Sequence, residues 1–186
     1  MSVIAASPRA IFLILRWKGS ENSGFAKPGC EIGEIPSFFR LHGLESGMHL
    51  NDAVEFMDAI LRPGEVRDFP NALNGLQCAN SGSFSLIGAA VDACEATIRE
   101  AAQAGVDLLI VHNGLFWGGL GPWTGATHRK MRILVDADMA VYSSHLPLDL
   151  HPEIGNNVIL GSRVGFGAGE PFFFENGQAI GLRYEE

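Results

Sequence analysis

Asp107-Leu-Leu-Ile-Val-His-Asn113 is the stretch whose reading decides the fold. An unbroken apolar run between an acid and a histidine suits a strand buried on both faces, because a strand with one wet face alternates apolar and polar residues. The flanks repeat the pattern. Ser85-Leu-Ile-Gly-Ala-Ala-Val91 upstream and Ala140-Val-Tyr-Ser-Ser-His145 downstream are similar short runs. Between the first two, Asp92 to Ala104 is rich in alanine and reads as a helix, with Gly105 suited to its C-cap. His128 to Asp138 reads as a second helix. Strand, helix, strand, helix, strand in close succession predicts right-handed crossovers. The expected fold is α/β, with a mostly parallel sheet of βαβ units covered by helices.

Farther out, Asn51 can cap a helix that carries Val54, Met57, Ile60 and Leu61 on one face and ends at Pro63-Gly64. A polar, turn-rich stretch follows. Near the other end, Asn156 to Arg163 can form another helix. The segment from Pro171 to Arg183 predicts a β-hairpin, since Asn176-Gly177 suits a type I′ turn. Gly19 to Gly47 shows no sustained period. Residues 1–47 are therefore expected to be a poorly ordered leader or extension, and residues 48–186 the folded domain.

A chain of 186 residues with 47% apolar and 18% charged residues can bury a sizeable core. Its net charge of −8 argues against nucleic acid and anionic membranes as partners, because both are met by basic faces. No apolar run reaches the length of a membrane span. Ala10 to Leu15 is too short for a signal-peptide core and runs into Arg16 and Lys18. Cys30, Cys78 and Cys94 are too far apart for a zinc ribbon and read as free thiols of a cytoplasmic protein.

Ligands of open α/β sheets gather beyond the carboxyl ends of the strands. His112 and His145 end two of the predicted strands, and Asp149 follows His145 by one turn that contains Pro147. Imidazole and carboxylate together suit a divalent metal such as zinc, iron or manganese. The loop Gly114 to Gly125 is neither a P-loop nor a dinucleotide fingerprint. It reads as a mobile wall over the site, with Trp117 or Trp123 offering a stacking face, or as a surface loop anchored by buried tryptophans. A serine-hydrolase set of Ser143 or Ser144 with His145 and Asp149 is disfavoured. No Gly-x-Ser-x-Gly elbow is present, and neighbouring strand residues point to opposite faces.

From Met48 to its end the chain resembles the Nif-three-like family (Ngg-one-interacting factor three, or the GTP cyclohydrolase 1 type 2 family). The resemblance is carried by Asn74-Gly-Leu-Gln77, Leu109-Ile-Val-His-Asn-Gly-Leu-Phe-Trp117, Tyr142-Ser-Ser-His-Leu-Pro-Leu-Asp149, Gly155-Asn-Asn157 and the late hairpin ending Ile180-Gly-Leu182. It implies an α/β fold, a ring-shaped hexamer and a dinuclear metal centre in each subunit. Met48 lies where members of the family begin. His112 and Asp149 match metal ligands of the family. Asn113 stands at a usual ligand position, where the family carries a second histidine, and His145 is a nearby group. The family continues beyond the hairpin to a His and a Glu that complete the two metals, so the chain is expected to lack the C-terminal portion. His42, Glu45 and His49 have nothing that places them as substitutes.

The implied function is that of a divalent-metal-binding protein, with metal-dependent hydrolysis of a nucleotide-like or other phosphorylated small molecule at an incomplete dinuclear centre. The alternatives are a non-catalytic assembly or interaction protein, or an inactive truncated remnant.

Overall fold

The computed structural model describes residues 13–16 and 48–185. In chain order the elements are β1 (Leu13–Arg16), β2 (Met48–His49), α1 (Leu50–Leu61), β3 (Gly75–Cys78), β4 (Ser83–Phe84), β5 (Leu86–Asp92) and α2 (Glu95–Gln103). They continue with β6 (Leu108–Asn113), α3 (Gly125–Asp136), β7 (Ala140–Ser143), α4 (Leu146–Asp149), α5 (Asn156–Arg163), β8 (Glu170–Glu175) and β9 (Gln178–Arg183). The expectation of a leader over residues 1–47 lies outside the described residues, except for β1.

The central sheet runs β1-β5-β6-β7-β3. Its core is parallel, β5 to β6 and β6 to β7. Antiparallel β1 and β3 flank it. The strand that decides the fold, β6, sits in the middle and is covered on both sides, which is why its sequence is apolar without alternation. Leu109 and Val111 join Val141, Ile98, Met131 and Leu134 in the core under α2 and α3. Leu108 joins Ala140, Tyr142, Leu50 and Ala53 under α1, with Ile110 packed against them. The even-numbered side chains of β6 thus face α1, and His112 continues that row past the edge of the core.

Several boundaries differ from expectation for identifiable reasons. Asp92 belongs to β5, not to the following helix. Its partner in register is Asn113, and the ladder runs one step further through Ala93 N–H to the Asn113 carbonyl at 2.8 Å. The helix α2 begins only after Cys94, whose Sγ accepts from the Thr97 N–H. The third predicted strand stops at Ser143 because His145 turns the chain, with φ −94° and ψ −105°. The turn with Pro147 is the short helix α4, where proline tolerates the first positions because no donor is needed there.

The hairpin is present, and Asn176 and Gly177 both have positive φ (51° and 82°) as a type I′ turn requires. Gly105, with φ 74°, closes α2. Two short strands, β3 and β4, lie in the stretch read as polar and turn-rich. No helix among the described residues is long and apolar enough to cross a membrane.

Candidate metal centre

At the carboxyl end of the parallel strands, ligand-capable atoms of His112, His145 and Asp149 lie within 4.8 Å of one another. His112 comes from the end of β6. His145 comes from the turn after β7, and Asp149 from the end of α4. The one-turn helix explains the spacing, since residues four apart share one face.

Each side chain is held with one ligand-capable atom spare. The Nδ1 of His112 is 3.0 Å from the Ser144 carbonyl oxygen. A carbonyl only accepts, so Nδ1 carries the proton and Nε2 presents its lone pair. The Nδ1 of His145 is 2.8 Å from Asp68 Oδ1, which assigns its Nε2 the same role. Asn156 donates to Asp149 Oδ1 at 2.6 Å. The other oxygen, Oδ2, faces His112 Nε2 at 3.6 Å. Two ligands bound tetrahedrally at ~2.1 Å stand roughly 3.4 Å apart, so this separation suits a shared cation. An imidazole that donates its remote N–H to a carbonyl or carboxylate is also the usual support of a metal-binding histidine. The donor set therefore fits a divalent metal on the chemistry of its residues.

Asp68 is the organiser that sequence reasoning missed. Its carboxylate also accepts from Asn74 Nδ2 at 2.8 Å, the Leu146 N–H at 2.9 Å and the Phe69 N–H at 2.7 Å. Burial alone would raise its pKa. The hydrogen bonds from Asn74, His145, Leu146 and Phe69 outweigh that and hold the carboxyl below its ordinary value. Asn74 in turn accepts from the His145 N–H at 2.7 Å. One signal was present in the quoted Asn74-Gly-Leu-Gln77. Asp68 itself lies 77 residues from His145 in an unpatterned stretch.

Gln77 does similar service for the glycine-rich loop. Its Oε1 accepts from the Leu115 N–H at 2.6 Å, while Nε2 donates to the carbonyls of Ala72 and Leu73 at 3.1 and 2.9 Å. Gly114 lies against this amide so closely that a Cβ there would sit 2.4 Å from it. The start of the loop is thus pinned, and Trp117 is placed against His145, with ring centroids 4.6 Å apart. Trp123 is 57% exposed.

The remaining expected residues are also placed. Asn113 donates to Asp92 Oδ1 at 2.7 Å. Ser143 Oγ donates to the His112 carbonyl at 3.3 Å, and Ser144 Oγ is buried with no hydrogen-bond partner among the described residues. With His145 Nδ1 occupied by Asp68, no serine–histidine pair forms. Cys78 and Cys94 are free, and Cys30 lies outside the described residues.

Fold and site together define an α/β protein with a three-residue candidate metal cluster at the carboxyl end of its parallel strands. The family model Duf34/NIF3 (NGG1p interacting factor 3) matches residues 48–184, and the chain belongs to that family. Among curated relatives, the "GTP cyclohydrolase 1 type 2 homolog" of Treponema pallidum is 52% identical over 112 residues, 60% of this chain and 39% of that protein. The protein of the same name from Archaeoglobus fulgidus is 37% identical over 135 residues, 73% of this chain and 54% of that protein. The crystal structure of TTHA1606 from Thermus thermophilus superposes with a TM-score of 0.61 at 40% identity, covering 67% of this chain and 51% of that one. The chain spans about half the length of these relatives, or less.

Proposed function

We propose that His112, His145 and Asp149 bind one divalent cation, zinc, iron or manganese, and that the protein is a metal-dependent hydrolase acting on a small phosphorylated or nucleotide-like molecule. The observation that carries this reading is the pair of imidazoles, each with its Nδ1 engaged, that meet Asp149: His112 Nε2 is 3.6 Å from the spare oxygen, and ligand-capable atoms of all three residues lie within 4.8 Å of one another. Three protein donors are the usual complement of a catalytic metal that keeps an open position. His145, expected only as a nearby group, supplies the third.

A bound cation would contribute Lewis acidity at the mouth of the site. The chain's own residues do the rest. Asp68 and the Ser144 carbonyl hold the imidazoles in one tautomer, Asn156 orients Asp149, and the aromatic rings of Phe69 and Trp117 keep bulk water from one side of His145. A second metal, as the family resemblance implies, would need donors beyond the single cluster present among the described residues. A cytoplasmic setting belongs to this reading, and the free thiols of Cys78 and Cys94 are compatible with a reducing compartment.

The test is metal analysis of the purified chain by mass spectrometry, followed by titration of the stripped protein. Near-stoichiometric metal that His112→Ala abolishes supports the centre, as does metal-stimulated phosphoester hydrolysis lost in the same variant. Absence of binding in the folded wild type would sink it.

A second reading, an assembly role as a homo-oligomer, has its own observation. Phe172, Phe173 and Phe174 on β8 are 51%, 61% and 68% exposed. Large exposed apolar patches mark interaction surfaces. Light scattering tests this reading, and a monomer at all concentrations would count against it.

A further inference from the structure

Beside the three donors stands an aromatic corner that the metal reading uses only as a cover for one side of His145. Phe69 and Trp117 meet edge to face, with centroids 6.2 Å apart and planes 75° apart. Both rings also contact His145, at 5.9 and 4.6 Å between centroids. Yet neither is buried by the contact. Phe69 is 52% exposed and Trp117 is 39% exposed. Apolar rings of this size gain most when covered, so a pair left open beside a polar cluster calls for an explanation.

The backbone around the pair is fixed in place. Asp68, which orients His145, also accepts from the N–H of Phe69, and the Phe69 carbonyl accepts from Ala72 N–H at 2.9 Å. Gln77 locks the start of the Trp117 loop to the carbonyls of Ala72 and Leu73, just beyond Phe69. The Gly119 N–H closes the turn on the Phe116 carbonyl at 2.7 Å. Phe69 therefore reaches the corner on a tether shared with His145, and Trp117 on one anchored just beyond Phe69. Preorganised aromatic faces are what a flat ligand needs, because little ordering entropy is then lost on binding. A recess whose wall includes Phe69, Arg67, Asp68, Leu146 and Glu175 adjoins the corner.

The geometry points to a ring-stacking subsite: Phe69 and Trp117 hold the planar heteroaromatic ring of a ligand whose phosphorylated end lies at His112, His145 and Asp149. The subsite rests on the proposed centre for its orientation and specifies the substrate class as one that carries a nucleobase-like ring. Phe69 and Trp117 are binding residues in this scheme, and Asp68 and Gln77 are positioning residues that act through them.

Equilibrium binding of adenosine and guanosine 5′-monophosphate tests it, with ribose 5-phosphate as the ring-free control. Measurements are made on the full-length chain and on Phe69→Leu and Trp117→Leu, with zinc affinity determined separately for each. Stacking on an aromatic side chain predicts that each variant weakens at least one nucleotide by roughly 5- to 100-fold. Ribose 5-phosphate and zinc should bind the variants as they bind wild type, and Trp117→Phe should keep most of the nucleotide affinity.

Equal affinity for ribose 5-phosphate and both nucleotides in zinc-binding wild type overturns the subsite while leaving the centre standing, and so does failure of all three to bind. Parallel loss of zinc and nucleotide in Trp117→Leu also overturns it, since the ring would then merely support His145. A ring-dependent preference that persists in protein unable to bind zinc would uphold the stacking subsite and count against the centre instead.

Discussion

Replacing Asp68 with alanine removes one carboxylate from four donors at once: Asn74 Nδ2, His145 Nδ1, and the N–H groups of Leu146 and Phe69. The side chain is only 6% exposed, so water replaces it poorly. A buried donor stripped of its acceptor costs about 1–3 kcal/mol. The four losses overlap at one site, so the expected destabilisation is about 3 kcal/mol, above a single loss and well below the sum of four. The effect on metal is separate. His145 without its carboxylate partner loses its fixed tautomer and ring orientation, and such a loss lowers metal affinity by roughly 10–100-fold.

Urea unfolding of the metal-free protein measures the first effect. Isothermal titration with zinc, restricted to conditions where far-ultraviolet dichroism shows the variant folded, measures the second. Asp68→Asn guards against simple unfolding. Whichever way its amide faces, its NH2 group opposes two donors, so it should be destabilised less than the alanine variant while its zinc affinity still falls. Wild-type zinc affinity in both folded variants would refute the argument that Asp68 sets the ligand role of His145.

Three further outcomes follow from the packing. Gly114→Ala forces a Cβ to within 2.4 Å of the Gln77 amide, which three hydrogen bonds hold in place; thermal melts should show a loss of about 1–3 kcal/mol and increased exposure of Trp117 by fluorescence. Ile98→Ala empties a fully buried position between α2 and the sheet and should cost about 2–5 kcal/mol in the same assay. Tyr142 is buried and donates to Asp58 at 2.7 Å; burial first, then that hydrogen bond and charge, push its pKa well above the ordinary value of 10.0. A raised pKa means that the stabilisation is complete below pH ~10 and declines as pH rises beyond it. Tyr142→Phe should therefore be less stable than wild type at neutral pH, but should lose less stability between pH 9 and the alkaline limit of the titration.

The fold could be read far into the chain because its deciding features are local. The run Leu108–Val111 read as a buried strand, and the regular return of strand and helix on either side implied parallel crossovers. The Asn176-Gly177 turn named the hairpin by its backbone chemistry alone. The strands that escaped notice, β1 to β4, are two to four residues long, too short to establish a period. They owe their form to partners elsewhere, β1 to β5, β3 to β7, and β2 and β4 to each other.

The candidate centre divides along the same line. The sequence by itself placed His112 and His145 at the ends of two strands, with Asp149 one turn beyond His145. It could not determine which nitrogen of either histidine is spare, because that depends on the Ser144 carbonyl and on Asp68, at 32 and 77 residues' separation. It could not tell whether the glycine-rich loop swings free or is pinned, because Gln77 reaches it from 38 residues away. Only the tertiary structure brings those groups within the ~3 Å at which a hydrogen bond can choose a tautomer or fix a loop.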